Sequence, residues 1–135
     1  MFLIPKKTKY KKYQKGSFQS KRTSFISLTY GLFGLKCLES FNITSSQIEA
    51  VRQNINRKIK RRGKIWINVF PDFPITSKPS EVRMGKGKGS VDYWVSKVSA
   101  GKIIFEVASP NDKLAYNALK SAANKLPVKT FIIKR

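Results

Sequence analysis

The strongest pattern of apolar and polar positions lies between residues 44 and 64. One apolar face recurs there at intervals of three, four and four residues, which is the spacing of a helix: Ile48, Val51, Ile55 and Ile59. Thr44 and Gln47 have the spacing of a capping box, so we predict that this helix begins near Thr44 or Ser45. Gly63 is placed to end it as the first residue beyond the helix.

A period of two residues, which is typical of strands, follows this helix. In "KIWINVF" one face carries Ile65, Ile67 and Val69, and the other carries Trp66, Asn68 and Phe70. The runs "SVDYWVSKVS" and "KIIFEVA" predict two further strands, joined as a hairpin by the turn from Ser99 to Lys102, and "VKTFIIK" predicts the last strand. Residues 24–39, "SFISLTYGLFGLKCLE", predict a strand, a bend or bulge at the glycines, and a second strand.

A second helix and a long loop complete the predicted elements. Ser109 is the expected cap of the helix, with Pro110 at its first position and Pro127 at its end. Small and apolar residues form its packing face: Leu114, Ala115, Ala118, Leu119 and Ala122. The prolines of "PDFP" interrupt strand pairing and predict a loop from Pro71 to about Gly89.

The predicted order of elements indicates an α+β fold. Two helices are separated from mostly adjacent strands, so we expect a mixed or antiparallel sheet. A length of 135 residues suits one compact domain. We therefore predict a basic arm over residues 1–22 and a single folded domain over residues 23–135, with a glycine- and lysine-rich loop at 76–90.

Charge narrows the function to partners that are polyanions. The 28 lysines and arginines against 7 acidic residues give a net charge of +21. Nucleic acid is the first candidate for a partner that neutralises this charge, and an anionic membrane surface is the second. The chain has no histidine and a single cysteine, Cys37, in an apolar run, so we expect a buried inert thiol and neither metal nor cofactor. No apolar run has the length of a membrane span, and we expect no membrane insertion.

Two clusters of basic residues stand out from this background. Between Pro5 and Arg22, eight lysines or arginines occur without an acidic residue, interleaved with Tyr10, Tyr13 and Phe18. This segment is either a solvated arm or one that places aromatic rings beside phosphates. The predicted helix and its end carry more cations than the helix dipole requires: Arg52, Arg57, Lys58, Lys60, Arg61 and Arg62.

The segment "RMGKGKGS" is the third candidate for a contact with phosphates. It lacks the spacing and the strand-to-helix context of a nucleotide-binding loop. Three glycines let backbone N–H groups approach an anion closely, Lys86 and Lys88 add charge, and Arg83 adds a planar fork. A solvated linker is the alternative interpretation. The predicted strands on both sides favour the contact with RNA or DNA.

Several of these segments together resemble one known family. "PKKTKYKKYQKG", "GLFGLK", "KLPVKT" and above all "QIEAVRQNINRKIKRRGKIWINVFPDFPITSKPSEVRMGKGKGSVDYWV" are similar to the bacterial-type universal large-subunit ribosomal protein sixteen. The resemblance runs from Pro5 to about Ile133. It implies an α/β-hammerhead type of α+β fold and a structural, non-enzymatic component of the large ribosomal subunit. The implied partners are large-subunit ribosomal RNA, acceptor-site transfer RNA and other large-subunit proteins.

The resemblance also implies roles for the three basic segments, including support of late subunit assembly. Ribosomal RNA would be bound by the arm and the helix through Lys6, Lys7, Lys9, Lys11, Lys12, Lys15, Arg52, Arg57, Lys60, Arg61 and Arg62. The loop near transfer RNA and the peptidyl transferase region would be formed by Arg83, Met84, Gly85, Lys86, Gly87, Lys88 and Gly89. The arginine that matches Arg83 can carry a β-hydroxyl group in this family.

Three further expectations accompany this interpretation. The match begins at Pro5 without a presequence, and the chain is rich in Ile, Phe, Asn and Lys, so we expect an organelle-encoded protein of a mitochondrion rather than a plastid. A basic protein of duplex DNA or the nucleoid is the alternative from another class. An enzyme acting on RNA would have to use Asp72, Glu81 and Asp92, which surface solubility explains better.

Overall fold

The chain forms two antiparallel sheets and two helices in the computed structural model, which describes residues 3–16 and 27–135. In chain order the described elements are β1 (Phe33–Cys37), β2 (Phe41–Thr44), α1 (Ser45–Lys58), β3 (Lys64–Ile67), β4 (Phe73–Ser77), β5 (Ser90–Val98), β6 (Ile103–Ala108), α2 (Asp112–Ala123) and β7 (Thr130–Lys134). One sheet has the strand order β3-β6-β1-β7, and the other has β2-β5-β4. The predicted α+β class with two helices is confirmed.

The hydrophobic core lies between the helices and the four-stranded sheet. Helix α1 packs against α2 and also contacts β2 and β5, while α2 packs on β1 and β7, so the pair of helices links the two sheets. Ile48, Val51, Ile55 and Ile59 are all buried, which confirms the predicted apolar face of α1. Burying each side chain of this size stabilises the fold by about 1.5–3 kcal/mol. Cys37 is also fully buried, and burial raises the pKa of its thiol.

The start of α1 is confirmed and its predicted end is wrong. The Gln47 N–H donates to Thr44 Oγ1, and the Thr44 N–H donates to Gln47 Oε1, which completes the capping box. The helix ends at Lys58, however, and not beside Gly63. Gly63 is required for a different reason, because a Cβ atom there would lie 2.6 Å from the carbonyl oxygen of Ala108 on β6.

The second helix is capped two residues later than the sequence predicts. Asn111 Oδ1 accepts from the Leu114 N–H at 3.3 Å, so Asn111 and not Ser109 is the N-cap. Its packing face is as predicted, with Ala115, Ala118, Leu119 and Ala122 buried and Leu114 half-buried. The helix ends at Ala123, before Pro127 can interrupt it. A run of serine, proline and asparagine offers two capping side chains, and only the path of the backbone selects one.

The predicted hairpin of the two strands around Ser99 to Lys102 is wrong. Strand β5 pairs with β2 and β4, whereas β6 pairs with β1 and β3 in the other sheet. The connecting turn is bonded instead to the end of β1, because the Gly101 N–H donates to the Cys37 carbonyl at 2.7 Å. A short turn that contains glycine can join two paired strands of a hairpin or two strands that belong to different sheets. The alternation of apolar and polar residues predicts a strand but does not predict which strand it pairs with.

Two further strands differ from the prediction. The predicted loop from Pro71 to Gly89 contains strand β4, and Pro74 is tolerated there because β4 is an edge strand. Within residues 27–39 the structure has one strand, β1, and the unpredicted β2 follows it. Residues 24–26, where the first predicted strand begins, lie outside the described residues. Neither α1 nor α2 has the length and apolar character to cross a bilayer.

Candidate nucleic-acid interface

The glycine-rich segment forms the loop from Lys78 to Gly89 that joins β4 to β5, and its glycines have two different functions. Gly85 and Gly87 have φ angles of 95° and 94°, which residues with a Cβ atom rarely adopt. Gly89 is needed for space instead, because a Cβ atom there would lie 2.1 Å from the Ser77 carbonyl oxygen. Glycine therefore shapes the tip of the loop and also allows its two ends to meet.

The loop tip is held from within and its cations face solvent. Lys78 Nζ donates to the Gly85 carbonyl at 2.5 Å, which ties the first residue of the loop to its centre. Lys86 has a φ of 53°, and Met84 is fully exposed. Among the described residues, neither Arg83 nor Lys86 has a hydrogen-bond or salt-bridge partner. These two cations are therefore available to an anionic partner.

Lys88 is different, because it is bound to the N-terminal arm. Its ammonium donates to the Tyr13 carbonyl, and Lys12 Nζ donates to the Lys88 carbonyl at 2.9 Å. These reciprocal bonds join arm residues 12 and 13 to the base of the glycine loop. The sequence predicts both Lys12 and Lys88 as contacts with nucleic acid, and the structure places them beside each other, with part of their hydrogen-bonding capacity used within the chain.

The arm also packs on the three-stranded sheet through an aromatic contact. The Tyr13 ring stacks on Phe73 of β4, with centroids 6.1 Å apart and planes inclined by 23°. Lys97 of β5 lies over the Phe73 ring, with Nζ 3.6 Å from the ring centroid. The same Nζ donates a hydrogen bond of 3.1 Å to the Lys15 carbonyl. Tyr13 therefore binds protein here, whereas Tyr10 remains 60% exposed. Phe18 lies outside the described residues.

The lysines of the arm are exposed, although the arm is held by these contacts. All six predicted arm lysines are exposed: Lys6, Lys7, Lys9, Lys11, Lys12 and Lys15. Lys9 also lies 5.6 Å from the centroid of the Tyr10 ring. The arm and the cations of the glycine loop thus belong to one surface, which the sequence could only present as two separate segments.

The second basic cluster lies at the C-terminal end of α1. Lys60 and Arg61 follow the helix in a tight turn with φ angles of 54° and 60°, so they are not part of its last helical turn as the sequence predicts. A shallow groove of about 390 Å³ is lined by Gln53, Asn56, Arg57, Lys60 and Arg61. Arg62 is exposed beside it. Helix α1 is about 21 Å long, so this turn is separated by that length from Thr44 on the three-stranded sheet.

Arg52 is set apart from that cluster by an ion pair. Its guanidinium contacts Glu49 through bonds of 2.6 Å and 2.9 Å, one turn earlier on α1. The hydrogen bond from Arg52 lowers the pKa of Glu49 to about 2. The charge of Arg52 is therefore balanced within the helix, and Arg57, Lys60, Arg61 and Arg62 are the better candidates for contact with phosphates.

A buried carboxylate holds the chain where it enters β1. Glu106 Oε2 accepts from the N–H groups of Thr29, Tyr30 and Gly31 at 2.7–3.1 Å, and Oε1 accepts from Asn68 Nδ2 at 2.7 Å. Burial opposes ionisation of Glu106, but the four hydrogen bonds together outweigh it and lower the pKa. Sequence patterns gave no sign of this role, because a glutamate in a strand usually faces solvent.

The carboxylates considered for catalysis are surface residues. Asp72, Glu81 and Asp92 are all exposed, and Asp92 accepts a hydrogen bond of 3.0 Å from the Ser77 hydroxyl across the base of the loop. Lys78 and Lys97 were missed as contributors to the interface. Lys97 is half-buried on β5 between the buried Ser96 and Val98, and no pattern in the sequence indicates its contact with the arm.

Comparison with known proteins gives matches over almost the entire chain. A family model described as "Ribosomal protein L16p/L10e" matches residues 5–133. The chain is 50% identical over 133 residues to "Large ribosomal subunit protein uL16" of Hyphomonas neptunium, which covers 98% of this chain and 96% of that protein. The proteins of the same name from Paracoccus denitrificans and Cereibacter sphaeroides are 49% and 51% identical, each over 98% of this chain and 97% of the relative. All three relatives are bacterial proteins.

Proposed function

Because the chain belongs to the ribosomal protein L16p/L10e family, we propose that it binds the RNA of the large ribosomal subunit through the arm, the glycine loop and the turn after α1. It is a bacterial-type structural constituent of the large subunit and not an enzyme. Its net charge of +21 supports a polyanionic partner, since such a charge is reduced when phosphates replace small counterions.

The observation that carries the proposal is the connection between the arm and the loop. Lys12, Tyr13 and Lys15 are joined to Lys88 and Lys97 by hydrogen bonds, so the lysines of the arm and the cations of the loop form one surface. RNA bound along residues 1–22 would then fix the position of the loop. In this proposal Lys6, Lys7, Lys9 and Lys11 contact phosphates, and Lys12 and Lys15 combine that contact with holding the arm.

We propose further that the loop tip lies near the acceptor site for transfer RNA. Arg83 and Lys86 would supply the contacts with RNA, with Met84 between them, while Gly85, Gly87 and Gly89 give the backbone its shape. Lys88 would position the loop. The support is the exposure of Arg83, Met84 and Lys86 at the end of a braced loop, together with the family resemblance over this segment.

The three basic segments suggest separate contributions to assembly and to translation. The arm and the turn with Arg57, Lys60, Arg61 and Arg62 would secure the protein during late subunit assembly, and the loop tip would act during translation. Ribosomal RNA and neighbouring large-subunit proteins would be the partners of the domain at residues 23–135. We propose a mitochondrial ribosome as the location, for which the content of Ile, Phe, Asn and Lys is the support.

The experiment is sedimentation of organelle ribosomes after a high-salt wash, with the protein detected by mass spectrometry in each gradient fraction. We expect the protein in the large-subunit fraction. Recovery in free fractions or with DNA would overturn the ribosomal proposal. Recovery with cytosolic ribosomes would overturn the mitochondrial location, and a nuclear gene with an upstream targeting exon would overturn the organelle-encoded origin; neither would overturn the ribosomal proposal.

Variants then separate assembly from translation. Removal of residues 1–16 should lower incorporation into the large subunit. Lys86→Ala should leave incorporation unchanged and lower the rate of translation. Lys86 is the appropriate residue for this test, because Lys88→Ala would also release the arm. Normal incorporation of the protein without residues 1–16 would contradict the role of the arm in assembly.

A further inference from the structure

A second aromatic contact lies on the outer face of the four-stranded sheet. The Tyr30 ring stacks on Trp66 of β3, with centroids 5.9 Å apart and planes inclined by 17°. Lys64 Nζ lies 5.3 Å from the Trp66 centroid. Ile65 and Ile67, the neighbours of Trp66 along β3, pack against the core, so Trp66 points to the opposite face of the sheet.

Much of the Tyr30 side chain is exposed although its ring stacks on Trp66. Trp66 is half-buried, and Tyr30 is 61% exposed. The exposed part of the ring is therefore accessible to a third planar group that would continue the stack.

The backbone that carries this ring is fixed. The Tyr30 N–H donates to Glu106 Oε2 at 2.7 Å, and the flanking Thr29 and Gly31 N–H groups donate to the same oxygen. A Cβ atom on Gly31 would lie 2.8 Å from backbone atoms of Val107, so the segment lies directly on β6. A ring held in this way loses little conformational freedom when a ligand stacks on it.

The charges around the ring favour a nucleic-acid base over an apolar protein side chain. Lys64 lies beside Trp66, and Lys60, Arg61 and Arg62 precede it in the chain. Both oxygens of Glu106 are occupied by hydrogen bonds within the protein, so this buried carboxylate is compensated. The cores of protein interfaces are depleted in lysine, whereas lysine beside an aromatic ring suits a base with its phosphate.

We propose that Tyr30 and Trp66 form a stacking platform for an unpaired base of RNA, with Lys64 contacting the adjacent phosphate. The platform is on the outer face of the four-stranded sheet, whereas the arm and the glycine loop lie on the three-stranded sheet. The platform would add a binding site for a base to the phosphate contacts proposed for the basic turn after α1. The proposal rests on the RNA-binding function, and it predicts a preference for single-stranded over duplex RNA that phosphate contacts alone would not give.

The test compares Tyr30→Leu with the matched control Tyr30→Phe in the full chain. The probes are a fluorescent oligoadenylate of about ten nucleotides and an RNA duplex of equal length, measured by anisotropy at fixed salt. Stacking of one base on an aromatic side chain predicts that Tyr30→Leu weakens binding of the oligoadenylate roughly 5- to 150-fold. Tyr30→Phe should retain the affinity, and binding of the duplex should be unchanged in both variants.

Photochemical cross-linking of the wild-type protein to the same oligoadenylate gives a second result that needs no mutation. We expect the cross-linked peptides to contain Tyr30 or Trp66. Cross-links confined to the arm or the loop would overturn the platform, as would equal affinity of Tyr30→Leu and wild type for the oligoadenylate. Circular dichroism of Tyr30→Leu establishes that the variant is folded.

The outcomes also separate this proposal from the function on which it rests. If the wild-type protein binds neither probe nor large-subunit RNA, the RNA-binding function itself fails, and the platform fails with it. If large-subunit RNA is bound and Tyr30→Leu has no effect, only the platform fails. If Tyr30→Leu loses a neighbouring large-subunit protein and keeps the oligoadenylate, the ring contacts protein and the proposal is overturned.

Discussion

The Lys12 ammonium donates a hydrogen bond of 2.9 Å to the backbone carbonyl of Lys88, although the two residues are 76 positions apart. Lys88 in turn donates to the carbonyl of Tyr13. The two lysines lie close together because each ammonium group donates a hydrogen bond to a backbone carbonyl and not to an acidic side chain. The pair explains how a strongly basic arm rests on a strongly basic loop: the hydrogen bonds and the Tyr13–Phe73 contact offset their repulsion.

Replacement of Lys88 should loosen the arm. Lys88→Met removes the bond to Tyr13 and keeps the apolar part of the side chain, and an exposed hydrogen bond of this kind contributes about 0.5–1.5 kcal/mol. We expect the population in which the Tyr13–Phe73 contact is broken to rise roughly two- to tenfold, as follows from that free energy, and nuclear Overhauser effects between the two rings measure the change.

Lys86→Met is the matched control for this change. It removes the same charge from the same loop, but Lys86 has no partner among the described residues. The Tyr13–Phe73 contact should remain as populated as in the wild type in this variant. Equal loss of the contact in both variants would mean that net charge, and not the specific bond, holds the arm.

Gly89→Ala should damage the base of the glycine loop more than Gly87→Ala does. A methyl group at residue 89 meets the Ser77 carbonyl, whereas at residue 87 it meets no atom within 4 Å and only strains a φ of 94°. We expect Gly89→Ala to lower the free energy of unfolding by about 1–3 kcal/mol and Gly87→Ala by about 1 kcal/mol. Urea denaturation measures both values.

Hydrogen exchange locates the two effects. In Gly89→Ala the amides of β4 and the start of β5 should lose protection, because these strands must separate to admit the methyl group. In Gly87→Ala the change should be confined to the loop. Loss of protection in both strands with Gly87→Ala would refute the distinction between shape at the tip and space at the base.

Glu106→Gln should lower the free energy of unfolding and should make it depend less on pH in the acid range. The lowered pKa of Glu106 means that its ionised form stabilises the folded state above the usual carboxylate pKa. This contribution is lost as the pH falls through the lower pKa of the folded protein. We expect Glu106→Gln to lower the free energy of unfolding near neutral pH by about 1–3 kcal/mol.

Urea denaturation at a series of pH values checks this expectation. The difference between wild type and Glu106→Gln should be constant near neutral pH and should shrink towards acid pH. Asp92→Asn is the control, since Asp92 is exposed and bonded to a surface hydroxyl. A difference that stayed constant into strong acid would show that the shape of the side chain matters and its charge does not.

Loss of two cations after α1 should reduce the salt dependence of RNA binding. Lys60→Asn combined with Arg61→Asn is suitable, because asparagine tolerates the positive φ angles of 54° and 60° at these positions. Each lost phosphate contact lowers the magnitude of the slope of log K against log salt by about 0.7–0.9, so the double variant should lose roughly 1.4–1.8. Titration of large-subunit RNA at several salt concentrations measures the slope.

A control variant that removes one positive charge is available on the other helix. Lys120 is exposed on α2 and is not among the proposed contacts, and Lys120→Gln should leave the slope unchanged. If Lys120→Gln lowers the slope by as much per charge as the changes after α1, binding follows the net charge of the chain and the basic turn has no special role.

The sequence by itself determined the elements whose signals are local. The capping box of Thr44 and Gln47, the buried face of α1 and the strand from Lys64 to Ile67 depend on residues within a few positions of one another, so their spacing was sufficient. The predicted continuation of that strand to Phe70 is wrong, because β3 ends at Ile67. The family was also determined at this level, because the segment from Lys64 to Trp94 carries enough specific residues. The three basic segments were found for the same reason, as charge is visible without a fold.

Only the tertiary structure decided which segments meet. Strands β5 and β6 follow each other closely but lie in different sheets, and the short turn between them does not determine which strands each one pairs with. The same applies to Lys12 with Lys88, Tyr30 with Trp66, and Glu106 with the N–H groups of residues 29–31. Each of these contacts joins residues more than thirty positions apart, and hydrogen bonds and ring stacking depend on distances that the linear order of residues does not contain.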